Sequence, residues 1–361
     1  MSNTARNVLI PTDSTIFRIA FLYVGQGEAT LLVTPDGGTF RYILVDTNVD
    51  KVNGGIDMVA LLKDLLDDKL DVFVNTHPHT DHVRGIKDIH DSVGVKEVWH
   101  SGHIPSKEHR DAYDELHGVI KDIGAENVYE LRGTRDENTV DHSEKPCLHP
   151  VGEPIYNVLS PAQYIKDEIA DEKPEDRDRR IHEQCGVIRF VYGKIATGIL
   201  LTGDSDRKAW EERITDYHAE RLSSYVLSAS HHGSRTFFKN AEDDAEPYKA
   251  HMDEIKPTCV IVSAPKQSES KHDHPHDDAI EIYTEYVNKD GILHLGAKRE
   301  CIIVNIDSEG NVDVNADTEL VDEYGFDGDE EPEGKASAAT GPFVNKSSVG
   351  DTTPRRYGID G

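Results

Sequence analysis

The chain has 361 residues, a formal charge of −29 at pH 7 and 37% hydrophobic residues, enough for one large or two ordinary globular domains. A net charge this negative argues against a protein that binds nucleic acid through a broad basic surface. No stretch approaches the roughly 20 apolar residues of a membrane span, and the amino terminus lacks signal-peptide features, so we expect a soluble, cytoplasmic protein. The four cysteines are far apart and form no CxxC pair, which predicts ordinary buried thiols.

The first half of the chain is predicted to alternate strands with helices. β-Branched and aromatic runs bounded by turn residues predict strands over residues 17–24, 29–34, 42–45, 71–75 and 95–99. Apolar residues at helical spacing predict helices over residues 56–66, 81–90 and 106–123. This alternation is typical of an α/β fold.

The second half of the chain repeats the pattern after two charged segments that are poor in apolar residues. We interpret residues 132–154 as loops and residues 163–184 as a charged surface insertion. Both halves run from strands to helices, which predicts two sheets packed together with helices outside. The predicted strands cover residues 187–191, 199–202, 224–228, 258–263, 291–295 and 301–306, and the predicted helices follow Asp206 and cover residues 237–252 and 277–288.

The carboxyl-terminal segment differs in composition from the rest of the chain. Between Asp317 and Glu333 it carries nine acidic residues and no lysine or arginine, and a stretch rich in glycine, serine and threonine follows. A segment this polar cannot bury enough apolar surface to form a core. We therefore predict a folded domain over residues 1–316 and a disordered acidic tail over residues 317–361.

A dense histidine cluster, THPHTDHVRG, follows the predicted strand 71–75 directly. Imidazole and carboxylate together suit divalent zinc, manganese or iron. Two histidines separated by one residue can point the same way from an extended loop, and the next carboxylate and histidine can turn to a second ion. A loop at a strand end is also where a rigid sheet holds side chains open to substrate. The candidate ligands are His77, His79, Asp81 and His82.

Further ligand-type residues follow two predicted strands in the second half. Asp204 ends the strand 199–202 in LLTGDSD, where one carboxylate can bridge two ions about 3.5–4 Å apart. His231 and His232 follow the strand 224–228 in SASHHGS. Clusters at three strand ends are hard to attribute to chance, so the spacing predicts one metal centre.

Taken in order, these motifs resemble the metallo-β-lactamase superfamily, and within it the hydrolase domain of the DNA-uptake channel protein ComEC and its free-standing relatives. The match runs through FLYVGQGEATLLVTPDG, ILVDTN, THPHTDHVRG, LLTGDSD, SASHHGS and HDHPHDDAI, over residues 17–306. The resemblance implies an α/β fold of the αββα type, a sandwich of two mixed sheets with helices on the outer faces. It also implies a dinuclear metal site at the edge that the two sheets share.

The resemblance implies roles for individual residues around two divalent ions, zinc or manganese. Asp46, in ILVDTN, would orient the histidine loop from behind the ions, as metal-bound imidazoles generally require. The alternative is that Asp46 caps a turn. One ion would be held by His77 and His79, the other by Asp81 and His82, and Asp204 would bridge the two.

Three further histidines have candidate roles near the predicted metal site. Side chains at adjacent strand positions point opposite ways, so we expect only one of His231 and His232 to be a ligand. We assign ligation to His231 and a place near the substrate to His232. In HDHPHD, His274 is the best match to a substrate-facing group, and a histidine-rich loop without a partner in the site is the alternative.

One ligand found in many superfamily members has no clear counterpart in the sequence. It is a histidine between the HxHxDH motif and the bridging aspartate. His100 and His103 follow the strand 95–99 and could reach the first ion, or they could be surface histidines. If neither reaches it, water or substrate would complete the first site.

The implied activity is hydrolysis by a hydroxide held between two metal ions, on a phosphodiester such as DNA, RNA or a small molecule. The catalytic residues would be Asp81, Asp204, His232 and His274, with one of the two histidines protonating the leaving group.

Three alternatives remain open at the level of the sequence. A carbonyl substrate such as a lactam, lactone or thioester suits the same kind of site. A partner subunit that retains the fold without turnover is a second alternative, although the complete ligand set argues against it. A protein partner could also dock on the acidic tail or on the insertion at residues 163–184. Nucleic acid would be bound only locally, with phosphate contacts drawn from Lys208, Arg235, Lys266 or Lys271.

Overall fold

The computed structural model describes residues 3–141, 147–162, 169 and 172–327. Within these ranges the strands form two sheets, one of eight strands and one of six. The first seven strands are β1 Phe17–Phe21, β2 Thr30–Asp36, β3 Thr39–Val45, β4 Leu70–Asn75, β5 Val95–His100, β6 Val128–Glu130 and β7 Ile155–Ser160. The others are β8 Val187–Tyr192, β9 Thr197–Leu201, β10 Val226–Ser228, β11 Cys259–Val262, β12 Ile292–His294, β13 Cys301–Ile306 and β14 Val312–Asp317.

Both sheets are mixed, with one parallel and one antiparallel half. The larger sheet has the order β14-β13-β1-β2-β3-β4-β5-β6 and is parallel from β3 to β6. The smaller sheet has the order β12-β11-β10-β9-β8-β7 and is parallel from β12 to β9. Parallel neighbours end at the same sheet edge, so the loops after β3 and β4 lie together, as do the loops after β9, β10 and β11.

The main core lies between the two sheets. Alternate residues of a strand face opposite sides, and in β9 the side chains of Ile199 and Leu201 join this core while Leu200 faces the helices beyond. Aromatic side chains meet across the interface, with ring centroids 6.4 Å apart for Phe17 and Phe190. The predicted α/β sandwich of two mixed sheets is confirmed.

Helices cover the outer faces of both sheets. None of the helices in the described part of the chain combines the length and apolar content that a membrane crossing needs. The predicted helix 81–90 is broken at Gly85, which has a φ of 90°. The α-helices are Thr4–Leu9, Met58–Leu65, Thr80–Val83, Ile86–Val93, Arg110–Ile123, Pro174–His182, Arg207–Ala209, Thr215–His218, Ala250–Ile255, Asp277–Tyr286, Leu295–Lys298 and Glu319–Tyr324, and Trp210–Ile214 is a π-helical turn.

The charged insertion contains regular structure where it is described. Residues 163–168, 170 and 171 lie outside the described residues, but Pro174–His182 forms a helix whose Ile181 is fully buried. The buried carboxylate of Glu183 anchors the end of this helix, accepting hydrogen bonds from Arg180 and Lys208. The second half of the predicted charged insertion is therefore helical, which the absence of apolar periodicity did not predict.

The predicted boundary between domain and tail at residue 316 falls too early. The helix Glu319–Tyr324 packs on the body, with Leu320 fully buried and the hydroxyl of Tyr324 donating a hydrogen bond of 2.9 Å to Asp64. Backbone bonds continue the attachment, since the Phe326 amide donates to the Gly55 carbonyl at 3.0 Å. Residues 328–361, the rest of the predicted tail, lie outside the described residues.

This packing predicts that Leu320→Ala destabilises the protein. Removing a buried leucine side chain typically costs about 2–5 kcal/mol, because its transfer free energy is lost and a cavity is left behind. Urea unfolding should show that loss, whereas the exposed Glu323 replaced by alanine should change stability by less than about 0.5 kcal/mol. Equal stability of Leu320→Ala and the parent protein would mean that this helix does not pack on the body in solution.

A second stability prediction concerns His251, which is fully buried among the rings of Trp210, Phe237, Phe238 and Tyr248. Burial lowers its pKa from 6.5 to about 3. The unfolded chain therefore takes up a proton first, and the contribution of a neutral His251 to stability, complete above pH 6.5, is lost as the pH falls towards 3.

We expect His251→Phe to be at least as stable as the parent protein at pH 7.5, since neither ring nitrogen has a hydrogen-bond partner among the described residues. Between pH 6.5 and 5 the advantage of the variant should grow by up to about 2 kcal/mol. Urea unfolding across this pH range measures the difference. A difference in unfolding free energy between His251→Phe and the parent protein that does not change with pH would contradict a neutral buried imidazole.

Candidate metal centre

The predicted ligands converge where strands of both sheets end. Asp46 follows β3 and the histidine motif follows β4, both in the larger sheet. Asp204 follows β9 and the pair His231 and His232 follows β10, both in the smaller sheet. Since these strands are held by parallel pairing at one edge of each sheet, side chains far apart in sequence are brought within a few ångströms of one another.

The first group of ligand-type atoms is a set of three histidines. Nitrogen atoms of His77, His79 and His182 all lie within 4.8 Å of one another. Nε2 of His182 lies 3.0 Å from Nδ1 of His79. Three imidazoles facing one point are the protein ligands of many catalytic zinc sites.

The second group combines a carboxylate with two histidines. Nε2 of His232 lies 3.4 Å from Oδ2 of Asp81 and 3.3 Å from Nε2 of His82. All three are close enough to surround one ion. The mixture of oxygen and nitrogen suits zinc or manganese.

Asp204 lies between the two groups and turns one oxygen to each. Its Oδ2 lies 3.6 Å from Nε2 of His77 and 3.7 Å from Nε2 of His182. Its Oδ1 lies 3.0 Å from Nε2 of His82 and 3.7 Å from Nε2 of His232. A carboxylate with one oxygen at each site has the geometry of a bridging ligand in two-metal centres.

The chemistry of these side chains fits two divalent cations. Nε2 of His77 is fully buried and finds no hydrogen-bond partner among the described residues, an arrangement that costs free energy unless a ligand completes it. Burial and the neighbouring imidazoles lower the pKa values of His77 and His79, which keeps them neutral and able to donate a lone pair to a metal.

The pKa of Asp204 is shifted in the direction that keeps its carboxylate charged. Burial by itself would raise the pKa of Asp204, but the surrounding imidazoles, with His82 first, together hold it well below its usual range. Burial alone would lower the pKa of His82, but the carboxylates of Asp204 and Asp46 raise it well above its usual value. Without a metal ion, His82 of the second group is therefore protonated, and a bound cation would displace that proton.

Asp46 supports the second group from behind. Its Oδ2 lies 2.8 Å from Nδ1 of His82, and its Oδ1 accepts from the Thr76 amide at 2.8 Å. The residue has a φ of 57°, a left-handed conformation that is uncommon for non-glycine residues. This geometry supports Asp46 as the residue that orients His82, which leaves Nε2 of His82 free to face Asp204.

His182 occupies the position for which the sequence offered only His100 and His103 as candidates. It lies at the end of the helix Pro174–His182, between the HxHxDH motif and Asp204 in chain order. The two histidines considered instead have other contacts. Nε2 of His103 lies 3.0 Å from the Gln184 carbonyl, and Nδ1 of His100 accepts from the Gly102 amide. Neither belongs to the ligand groups found among the described residues.

His231 and His232 do not lie on a strand, so the alternation of side chains along a strand does not separate them. Both have left-handed backbone angles, with φ of 51° and 57°, in the turn Ser230–Gly233. Such strained conformations in non-glycine residues cluster at functional sites. His232 is buried in the second group, while the His231 side chain is 20% exposed and lies 3.5 Å from Asp204 Oδ2. His231 lies on the side of the first group, where its nitrogen is within 4.8 Å of ligand-type atoms of His182 and Asp204. For the second ion, the geometry therefore favours the reverse of the predicted assignment, with His232 as ligand.

We therefore expect His232→Ala to lose one ion of two, because His232 contacts Asp81 and His82. We expect His231→Ala to keep both ions, because the first group has three histidines without His231. Metal titration of the two variants, followed by metal analysis after dialysis, distinguishes them. Loss of an ion from His231→Ala with full occupancy in His232→Ala would restore the original assignment. A substrate whose leaving group needs no proton should restore turnover only in the variant that lacks the histidine acting as general acid, and not in the variant that lacks a metal ligand.

His274 lies outside both ligand groups but beside them. Its ring centroid is 5.1 Å from that of His231 and 6.0 Å from that of His232. Burial lowers its pKa to about 2, so the imidazole is neutral before anything binds. Its Nδ1 has no hydrogen-bond partner among the described residues, which leaves it available to a bound molecule.

Fold and site together define an α/β sandwich with a candidate two-metal centre where strand ends of both sheets meet. No protein-family model and no curated protein sequence matches this chain.

Solved structures do match the fold of this chain. A metallo hydrolase from the archaeon Ignicoccus hospitalis matches at 12% identity over 82% of this chain and 98% of that chain, with a TM-score of 0.42. The CmlA beta-hydroxylase matches at 13% identity over 79% of this chain and 52% of that chain, with a TM-score of 0.42. A metallo-β-lactamase superfamily protein from Sulfolobus tokodaii matches at 16% identity over 66% and 77% of the two chains, with a TM-score of 0.29. At values this low, no shared activity follows from the matches.

Proposed function

We propose that this protein is a dinuclear metal-dependent hydrolase that acts on a small phosphodiester. The observation that carries the proposal is the position of Asp204, whose two oxygens face two separate groups of ligand-type side chains. The motifs that resemble the ComEC-like branch of the metallo-β-lactamase superfamily favour the phosphodiester over other substrates. Both the metal identity, zinc or manganese, and the substrate class are part of the proposal.

Two bound divalent cations would supply a nucleophile from water at neutral pH and offset negative charge on the substrate. The chain itself provides the framework for that chemistry. His77, His79 and His182 would hold one ion, Asp81, His82 and His232 the other, and Asp204 would join them. His231 and His274 lie beside the centre, and either could carry a proton to the leaving group, the role first assigned to His232 or His274.

The cations near the site favour a small substrate over a polymer. Lys208 donates to Glu183, and Arg235 pairs with Glu242 and Asp278. A cation that is already paired offers little to a phosphate backbone, and a chain with a charge of −29 repels a polyanion. Affinity for a phosphate group would then come from the metal ions, which suits a substrate with a single phosphodiester.

The proposal is tested with metal-depleted protein that is reloaded with manganese or zinc. We expect two ions per chain and hydrolysis of bis(p-nitrophenyl) phosphate, weaker activity on single-stranded DNA, and none on a thioester or a lactone. Turnover of the thioester or lactone alone would replace the phosphodiester by a carbonyl substrate. Two bound ions without turnover of any of these substrates would favour a non-enzymatic partner subunit. A chain that binds fewer than two ions would overturn the dinuclear site.

A further inference from the structure

We infer that the Thr76 hydroxyl is a positioning group for His77, and that it extends to the first proposed metal site the support that Asp46 gives to His82 in the second. The inference rests on the proposed dinuclear site. Asp46 contacts His82 of the second group directly. It reaches His77 of the first group only through Thr76.

Asp46 is surrounded by donors and therefore acts as an acceptor. Its Oδ1 accepts from the Thr76 amide at 2.8 Å. Its Oδ2 accepts from the Thr76 hydroxyl at 2.6 Å and lies 2.8 Å from Nδ1 of His82. A threonine hydroxyl has a single proton, so the proton of Thr76 is committed to the carboxylate.

Because the Thr76 hydroxyl donates its hydrogen to Asp46, it can act only as an acceptor towards His77. Oγ1 of Thr76 lies 3.2 Å from Nδ1 of His77 and can only accept there, which favours the tautomer of His77 with its hydrogen on Nδ1. That tautomer leaves the lone pair of His77 on Nε2, the atom that is buried beside Asp204 without another hydrogen-bond partner among the described residues. Thr76 thus selects the imidazole form that can bind a metal.

The surroundings leave Thr76 no room to rearrange. Sγ of Cys185 lies 3.5 Å from Nδ1 of His77 and accepts from the Asp204 amide at 3.2 Å. Gly203 has a φ of 48°, and a Cβ there would come within 2.8 Å of Thr76 Oγ1 and 2.6 Å of Cys185 Sγ. The hydroxyl, the thiol and the backbone before Asp204 therefore pack closely against one another beside His77.

The test measures binding of manganese or zinc alone, without substrate, in variants of the full chain. Thr76→Val keeps the shape and removes the hydroxyl, and we expect affinity for one of the two ions to fall about 10–100-fold, the usual loss when an orienting partner of a ligand is removed. Thr76→Ser should restore binding. The matched control is Thr30→Val, because Oγ1 of Thr30 is buried without a partner among the described residues.

A second pair of variants assigns the effect to a site. In a His182→Ala background, which removes a ligand of the first site, Thr76→Val should weaken binding of the remaining ion much less than Asp46→Asn does, because Asp46 still contacts His82 directly and still accepts from the amide of residue 76. In the otherwise unchanged chain, Asp46→Asn should weaken both ions, and adding Thr76→Val should cost the first site little more, since the two residues act in series.

The outcomes separate this inference from the proposed function. A parent protein that binds fewer than two ions overturns the dinuclear site itself. Two ions in the parent protein and unchanged affinities in Thr76→Val overturn the role of Thr76 alone. If Thr76→Val does not fold, judged by circular dichroism of the metal-free protein, Thr76→Ala replaces it, and parent-like affinity for both ions in that variant equally overturns the role.

Discussion

Asp204→Asn is expected to abolish binding of the metal pair and to lower hydrolysis by at least about 100-fold. The amide keeps the shape of the side chain but loses the negative charge and one of the two acceptor oxygens, which face the two ligand groups separately. Stabilisation by bound metal ions is worth several kcal/mol, and about 1.4 kcal/mol corresponds to a tenfold change in rate. Metal analysis after dialysis and steady-state turnover with a phosphodiester measure the two effects.

Asp71→Asn is the matched control, because Asp71 is also buried but pairs with Arg41 and Lys96 away from the site. The Asp71→Asn variant should be less stable than the parent protein and should still bind both metal ions. Circular dichroism should show that Asp204→Asn is folded, since the substitution keeps the shape of the side chain and does not remove any core packing. Two retained ions and unchanged turnover in Asp204→Asn would refute the bridging role.

The second large effect is expected from His182→Ala. The variant should lose one ion with more than about a 100-fold fall in affinity, since even changes to residues that only orient a ligand cost about 10–100-fold. The other ion should remain, because Asp81, His82 and His232 do not contact His182 in the second group. Titration with zinc, read by a competing chelator, resolves the two affinities.

His103→Ala serves as the control for His182→Ala. Both residues are histidines near the insertion, but His103 bonds the Gln184 carbonyl and belongs to neither ligand group. It should bind two ions with parent-like affinity. If His103→Ala lost an ion and His182→Ala did not, the first site would be completed by the loop after β5 and not by the insertion.

Local sequence patterns predicted the part of the site that local structure controls. His77, His79, Asp81 and His82 lie within six positions after a buried strand, so one loop conformation places them all. Asp204 could be predicted for the same reason, since a strand end fixes where it points. The two sheets followed from short apolar runs whose residues alternate between the two faces, as in β9.

The missed features depend on contacts distant in sequence or on backbone angles without a sequence pattern. His79 and His182 lie 103 residues apart, and His182 belongs to a charged segment in which no motif marks it. The turn at His231 and His232 needs left-handed angles at two non-glycine residues, which periodicity does not predict. The acidic composition after Asp317 hid Leu320 and Tyr324, two apolar residues one helical turn apart that pack on the body.

The order of the ligands along the chain determines when the centre can be assembled during synthesis. The ligand-type residues of the histidine motif are made first, and the first group is complete once the chain reaches His182. The chain must extend past β9 for Asp204 and past β10 for His232 before the second group and the bridging carboxylate are present. A nascent chain that ends before β9 lacks both Asp204 and His232, so it cannot hold the pair of ions. Because metal binding is coupled to formation of its site, loading should be a late event that follows closure of the second sheet. A cell would then supply its ions to a nearly finished protein, and metal availability would govern activation without limiting folding of the larger sheet.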